Sequence, residues 1–144
     1  MTMEYTTLGK RIEALRKKIA LLNKKIKAAE AADFKRKKKQ EDRRKFLVGL
    51  FFYEGFVKKK DEKEMVNLMN FWLKKDRDRV IWGLPLHDQE RRFNHDPERF
   101  EIRKKYHIGS YFLEKFRREN RFSILANLLE KHLEHPLDKK LFSP

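Results

Sequence analysis

Catalysis or metal binding in this chain would have to rest on its histidines and closely spaced aspartates. His132 and His135 lie three positions apart and fit one face of a helix, but no third ligand follows at the spacing of a zinc site. Asp76 and Asp78 alternate with Arg in the segment KKDRDR, which is typical of local ion pairs or a helix cap. The five glycines form no phosphate-binding loop. We therefore expect no enzymatic activity, no metal and no cofactor.

Basic residues are the dominant chemical feature of the sequence. Lys and Arg number 37 against 22 Asp and Glu, and the resulting net charge of +15 indicates a polyanionic partner, most often nucleic acid. The densest run, FKRKKKQEDRRK, covers residues 34–45. A solvated helix or a flexible joint is the alternative reading of this run. We predict that DNA is bound by its eight cations: Lys35, Arg36, Lys37, Lys38, Lys39, Arg43, Arg44 and Lys45.

The composition also limits which classes of protein this chain can belong to. Hydrophobic residues make up 40% and include 12 Phe and 2 Trp, so the chain can bury a core. The absence of Cys excludes disulfides and thiolate zinc sites. The longest apolar run, residues 46–57, is interrupted by Glu54 and two glycines and is well short of the ~20 residues of a membrane span. With no signal-peptide pattern at the start, we expect a cytoplasmic protein without a membrane partner.

A heptad pattern near the N-terminus predicts a helix directly before the basic run. Ile at the a positions with Leu at the d positions favours a parallel two-stranded coiled coil. The pattern ends where Asp33 takes the next a position. An amphipathic helix folded back on its own chain is the alternative. We predict a homodimer whose seam consists of Leu8, Ile12, Leu15, Ile19, Leu22 and Ile26.

Two segments sixty residues apart resemble each other. Residues 43–83 align without a gap onto residues 103–143, with ten identical positions. Gly49 and Gly109 are one such pair, and we expect close helix contact there, since Gly inside a helix costs about 1 kcal/mol relative to Ala. Each copy contains an apolar helix, a second amphipathic helix and an aromatic turn. One such hairpin cannot bury its apolar face alone, so the copies must cover one another or pair in a dimer.

These patterns predict an all-α protein, in which a coiled-coil-like N-terminal helix precedes two tandem helical-hairpin modules related by an internal repeat. The expected divisions are residues 1–33 for the coiled-coil-like helix and 34–86 for the basic helix with the first module. A linker follows at 87–96, and the second module occupies 97–144. Asp96-Pro97, an N-cap residue followed by Pro at the first helical position, marks the start of that module.

Three motifs of the first module occur together: an Arg-Arg-Lys lead-in, a Val-Gly pair in the apolar helix, and a closing Asp-Arg-x-x-aromatic-Gly-Leu-Pro segment. Their residues are Arg43, Arg44, Lys45, Val48, Gly49, Asp78, Arg79, Trp82, Gly83, Leu84 and Pro85. Through them, roughly residues 8–86 resemble the MobC-type mobilization accessory proteins of IncQ-like plasmids. The small conjugal transfer TraD family has a related arrangement. Members typically end soon after Gly-Leu-Pro, whereas this chain continues into the second copy, with Ser143 where Gly83 stands.

The resemblance implies a non-catalytic relaxosome component that binds the plasmid origin of transfer and assists a relaxase by promoting strand separation. If aromatic residues such as Phe34 and Phe93 stack on unpaired bases, they favour separated strands; the alternative is that both rings are only buried or exposed side chains. Two other functions stay open. A protein-interaction adaptor would hold partners through the coiled coil and the second module. A transcriptional repressor would bind the same DNA without opening it.

Overall fold

A computed structural model of the chain describes the backbone of residues 3–143 and the side chains of residues 7–143. All regular secondary structure in this range is helical. The elements in chain order are α1 (Met3–Lys58), α2 (Glu62–Trp72), α3 (Asp76–Arg79), a 3-10 turn (Val80–Trp82), α4 (Pro97–Arg118), α5 (Phe122–Glu130) and α6 (Pro136–Lys140). The predicted all-α class and the long N-terminal helix are confirmed.

Helix α1 is the longest element because no Pro precedes residue 85 and most of its residues favour helix. Its end is set by Lys60, which adopts a φ of 57°. The N–H of Asp61 then donates to the carbonyl oxygen of Phe56 at 2.9 Å, as in a Schellman closure. Helix α4 ends in the same way at Asn120, whose φ is 56°.

The chain divides into two compact units, residues 1–39 and 40–144, and α1 contributes to both. The four-part division expected from the sequence stays a prediction. In the first unit every described side chain is exposed except Asp33, which is half-buried. The six seam residues each keep between 43% and 57% of their surface exposed, so the burial expected of a folded-back helix is not seen.

In the second unit, α1 and α4 cross with their backbones in contact at two glycines. A β-carbon placed on Gly49 would lie 1.6 Å from the carbonyl oxygen of Lys105. One placed on Gly109 would lie 1.5 Å from the carbonyl oxygen of Lys45. Only glycine permits this approach, and the close contact predicted for the pair is confirmed.

Two hydrophobic clusters form the core of the second unit. One consists of Leu47, Val48, Leu113, Leu125, Leu129 and Phe142, and the other of Met65, Met69, Leu73, Trp82, Leu84 and Ile108. Val48 of α1 thus packs with α5, whereas Ile108 of α4 packs with α2, and both are fully buried. Phe52 and Phe112, whose ring centroids are 4.0 Å apart, border both clusters. Each cluster therefore needs side chains from both long helices.

The short elements of the second unit recur at a spacing of sixty residues. Helices α2 and α5 begin at Glu62 and Phe122, and α3 and α6 begin at Asp76 and Pro136. The two non-glycine residues with positive φ in the described range, Lys60 and Asn120, have the same spacing. Pairs of buried residues also lie sixty positions apart: Val48 and Ile108, Met65 and Leu125, Met69 and Leu129, Trp82 and Phe142.

Candidate nucleic-acid interface

Five of the eight predicted DNA-binding cations, Lys35 to Lys39, belong to the first unit and are all exposed. Successive helical residues are rotated by about 100°, so five in a row present cations around the whole helix. Asp33 accepts a hydrogen bond from Arg36 and lies 3.1 Å from Lys37 Nζ. The hydrogen bonds from Lys37 and then from Arg36 lower the pKa of Asp33. In the described part of the chain, Lys35, Lys38 and Lys39 make no ion pair.

The two aromatic residues expected to stack on bases differ in their exposure. Phe34, directly before the cationic run, has 70% of its surface exposed. Phe93 is half-buried, and the guanidinium carbon of Arg91 lies 4.6 Å from its ring centroid. The exposed ring of Phe34 is therefore more accessible to a planar ligand than the half-buried ring of Phe93.

Arg43, Arg44 and Lys45 lie in the second unit, where the chain itself engages them. Arg43 forms a forked pair with Asp138, with Nε to Oδ1 at 3.1 Å and Nη2 to Oδ2 at 3.0 Å. That hydrogen-bonded pair raises the pKa of Arg43 and lowers the pKa of Asp138. Lys45 is half-buried, with its carbonyl oxygen at the helix crossing. The DNA contacts expected of these three residues stay a prediction, whereas the hydrogen bonds of Arg43 join α1 to Asp138 of α6.

Glu41 is a structural partner of these cations that sequence reasoning missed. Arg44 donates to its carboxylate at 3.3 Å, and Arg117 does so through Nη2 at 3.1 Å. Burial acts to raise the pKa of Glu41, but the hydrogen bond and charge of Arg117 outweigh it, and the pKa is lowered. Arg44 also donates through Nε to the carbonyl oxygen of Leu141 at 2.8 Å. Long-range pairs of this kind leave no signal in a local sequence pattern.

Arg79, in the motif that carries the family resemblance, is a buried structural residue. Its Nε donates to the carbonyl oxygen of Pro85 at 2.7 Å. Its two Nη atoms donate to the carbonyl oxygens of Asn70 and Leu73 at 2.9 Å and to the Oδ1 of Asn70 at 2.6 Å. Gly83 follows with a φ of 65°, which favours glycine. The motif thus builds a turn, here called the closing turn, at the end of the first half (residues 43–83) of the second unit.

Trp82 and Asp78 of the same motif contact His107 on α4. The indole Nε1 of Trp82 donates to His107 Nδ1 at 2.9 Å. The opposite ring nitrogen, Nε2, lies 3.4 Å from Asp78 Oδ1, too far for a strong hydrogen bond. Burial therefore prevails over the attraction of the carboxylate and lowers the pKa of His107. The neutral imidazole is the favoured form in this position.

A shallow cationic depression that is open to solvent, here called the α3 cleft, lies beside α3. It has a volume of about 370 Å³ and is lined by Lys74, Lys75, Asp76, Arg77, His87 and Arg91. The carboxylate of Asp76 accepts hydrogen bonds from the backbone N–H groups of His87 at 2.8 Å and Asp88 at 3.0 Å. These bonds lower the pKa of Asp76. The cleft was missed from sequence because its cations lie on either side of the closing turn.

The spaced histidines and aspartates have local structural contacts. The ring of His132 packs against Phe51 with centroids 4.7 Å apart, and His135 Nδ1 accepts from the N–H of Leu137 at 3.1 Å. Arg77 lies 3.8 Å from Asp78, as the local ion-pair reading of KKDRDR expects. Within residues 7–143, no group of three or more acidic, His or Cys side chains is arranged to hold a metal ion. Of the described helices, none has the length and apolar character to span a bilayer.

Comparisons with models of known protein families, with curated proteins and with solved structures gave no match to this chain.

Proposed function

We propose that the protein is a non-catalytic DNA-binding accessory of plasmid mobilization. It binds the origin of transfer in the cytoplasm and assists a relaxase by promoting strand separation. The observation that carries the DNA-binding part is the exposed run Lys35 to Lys39. The unit that contains it, residues 1–39, holds 13 Lys and Arg against 4 Asp and Glu. The origin and the relaxase come from the motif resemblance.

Counterion release supplies the affinity in this proposal. Each cation that neutralises a phosphate frees a condensed counterion, so five contacts would give a slope of about −4.5 in log K against log salt on duplex DNA. Such contacts hold the helix on the duplex without reading its sequence. Phe34, exposed beside the cationic run, adds a ring on which an unpaired base can stack. Preference for separated strands would follow from that difference in contacts.

A homodimer through the heptad seam is part of the proposal. The six seam residues are apolar, exposed and spaced for an a/d interface. Three heptads form a short coiled coil, and its Lys residues repel one another. Bound DNA would reduce that repulsion, so dimerisation and DNA binding should strengthen each other.

We also propose that the second unit consists of two copies of one helical module. The sixty-residue spacing of helix starts, positive-φ residues and buried side chains supports it. The reciprocal contacts at Gly49 and Gly109 support it as well. In this arrangement the second copy supplies the packing partner that a single hairpin lacks. Residues 103–143 therefore complete the core that residues 43–83 require.

The function is tested by fluorescence anisotropy with three DNAs across a salt series. They are the origin region of the source plasmid, a scrambled duplex and the origin duplex with a pre-opened bubble. The expected result is a preference for origin or bubble that persists at ~0.15 M salt. Equal, steeply salt-dependent binding to all three would contradict the proposal and favour the adaptor. Tight origin binding without any preference for the bubble would favour the repressor.

Two charge-matched variants locate the contact. The first replaces Lys35, Lys38 and Lys39 by Glu. The control makes the same change at Lys10, Lys17 and Lys24, which are exposed and lie opposite the seam in the heptad. The first variant should lower the salt slope by about 3 and weaken origin binding far more than the control does. Equal loss in both variants would show that net charge alone attracts the DNA.

A further inference from the structure

The α3 cleft is a concentration of positive charge within the second unit, formed by residues that are not part of the predicted DNA-binding run. Lys74, Lys75, Arg77 and Arg91 line it, and all four are exposed. The one acid in the lining, Asp76, directs both carboxylate oxygens to backbone N–H groups. Its charge is thereby partly taken up by the protein. Arg77 lies 3.8 Å from Asp78, whereas Lys74, Lys75 and Arg91 make no ion pair within the described residues.

An exposed aromatic ring adjoins this cleft. Phe71, near the end of α2, keeps 81% of its surface exposed, the highest value among the large hydrophobic residues described as exposed. Lys74 joins the ring to the cleft, because its Nζ lies 5.7 Å from the ring centroid and donates to the Phe71 carbonyl oxygen at 3.2 Å. A hydrophobic ring with so little burial contributes almost nothing to the core. Cations beside an open aromatic face are the pairing that binds phosphates and stacks bases.

The corresponding positions of the other half show that the fold does not require this combination. Sixty residues after Phe71, Lys74, Lys75 and Arg77 stand Lys131, Glu134, His135 and Leu137. Helices α5 and α6 nevertheless form at the positions that correspond to α2 and α3. The ring and the cations are thus specific to the first half, although α3 and α6 begin at equivalent positions.

We propose that the α3 cleft and Phe71 form a binding site for single-stranded nucleic acid. The cations contact successive phosphates while an unpaired base stacks on the Phe71 ring. A duplex offers the phosphates but keeps its bases paired, so the ring favours the open strand. This deepens the proposed function and rests on it for its biological setting, because a protein that promotes strand separation must prefer the separated state. The site itself lies within the second unit and is chemically independent of Lys35 to Lys39.

The direct test is a Phe71→Trp variant titrated with a dT oligonucleotide of about ten nucleotides. Stacking of a base on the new indole should quench its fluorescence, whereas the wild-type protein, with Trp82 buried and Trp72 half-buried, should respond little. Phe71→Ala should weaken oligonucleotide binding about five- to tenfold with an unchanged salt slope, since it removes stacking and no charge. Absence of quenching at saturation, or unchanged affinity of Phe71→Ala, would overturn the proposal.

The cations are tested by placing the residues of the second half into the first: Lys74→Glu, Lys75→His and Arg77→Leu. The salt slope for the oligonucleotide should fall by about 2, because three phosphate contacts on a single strand are lost. A control with the same total charge change, Lys10→Glu with Lys17→Glu, should leave oligonucleotide binding less affected. Equal effects of the two variants would refute a defined site.

The same reagents separate this proposal from the proposed function. If charge reversal at Lys35, Lys38 and Lys39 abolishes origin binding while Phe71→Trp shows no quenching, the proposed DNA-binding function is supported. The proposal that the α3 cleft binds single strands is then refuted. If that reversal leaves origin binding unchanged but quenching occurs, the cleft binds single strands and the prediction that Lys35 to Lys39 bind duplex DNA is wrong.

Discussion

Replacing Gly49 by Ala should destabilise the second unit strongly, because the new methyl group meets backbone rather than a movable side chain. Its β-carbon would lie 1.6 Å from the carbonyl oxygen of Lys105, whereas ordinary van der Waals contact begins at 3.4 Å. The two helices would have to separate by nearly 2 Å. Gaps of only 0.5–1 Å already remove about a quarter to a half of the dispersion energy of the atoms that line them. Val48 and Ile108, both fully buried next to the crossing, would lose contacts.

The magnitude follows from two opposing effects. Ala favours a helix by about 1 kcal/mol over Gly. Overpacking in a core, with the backbone shifts that it forces, costs typically about 1–3 kcal/mol and occasionally more. Because both clusters depend on this crossing, we expect a cost at the upper end of that range and hence a net loss of about 2 kcal/mol in the free energy of unfolding. Gly109→Ala should cost a similar amount, since its β-carbon would lie 1.5 Å from the Lys45 carbonyl oxygen.

Urea unfolding followed by circular dichroism measures this change, and Gly55→Ala supplies the control. Gly55 lies in α1 with no atom within 4 Å of its added β-carbon, so its replacement should stabilise the unit by up to about 1 kcal/mol. The double variant of Gly49 and Gly109 should cost less than the sum of the two, because one separation makes room for both methyl groups. A Gly49→Ala protein as stable as the wild type would refute the reasoning.

Two further predictions concern the buried histidine and the seam. Burial lowers the pKa of His107 from its ordinary value of 6.5, so its contribution to stability is complete above pH 6.5 and declines as the pH falls below it. Urea midpoints at pH 7.5 and 5.5 should therefore differ more for the wild type than for His107→Asn; equal differences would contradict this. If the seam forms the proposed dimer, Leu15→Glu with Leu22→Glu should give a monomer in size-exclusion chromatography with light scattering, whereas Lys17→Glu with Lys24→Glu should not. A wild type that is monomeric at all concentrations would rule out the seam.

The helical class and the glycine contact could be predicted because both follow from local or repeated patterns. A Pro-free stretch of helix-forming residues gives a long helix whatever surrounds it. Gly49 and Gly109 stand out because the same costly residue recurs at equivalent positions of two apolar helices. Asp96-Pro97 likewise marks the start of α4, where the Asp96 side chain accepts from the N–H of Arg99 at 3.3 Å.

The engagement of Arg43 and the α3 cleft could not be predicted in the same way. A run of basic residues predicts uniform exposure. The neighbouring sequence does not indicate that Arg43 forms hydrogen bonds with Asp138, ninety-five residues further along the chain. The cleft brings Lys74 and Lys75 together with Arg91 only after the closing turn has folded back. Sequence patterns also did not show that Val48 of α1 would be buried with α5 and Ile108 of α4 with α2, because likeness between two segments does not specify which of them covers the other.

Folding of the second unit depends on contacts between residues far apart in the chain. Helices α4 and α5 are neighbours in sequence and can meet early, but Ile108 stays uncovered until α2 reaches it. Since both cores draw on both long helices, neither half has a complete core of its own. A chain cut between the closing turn and α4 would therefore yield two fragments that behave as subunits, each ordered only while the other is bound.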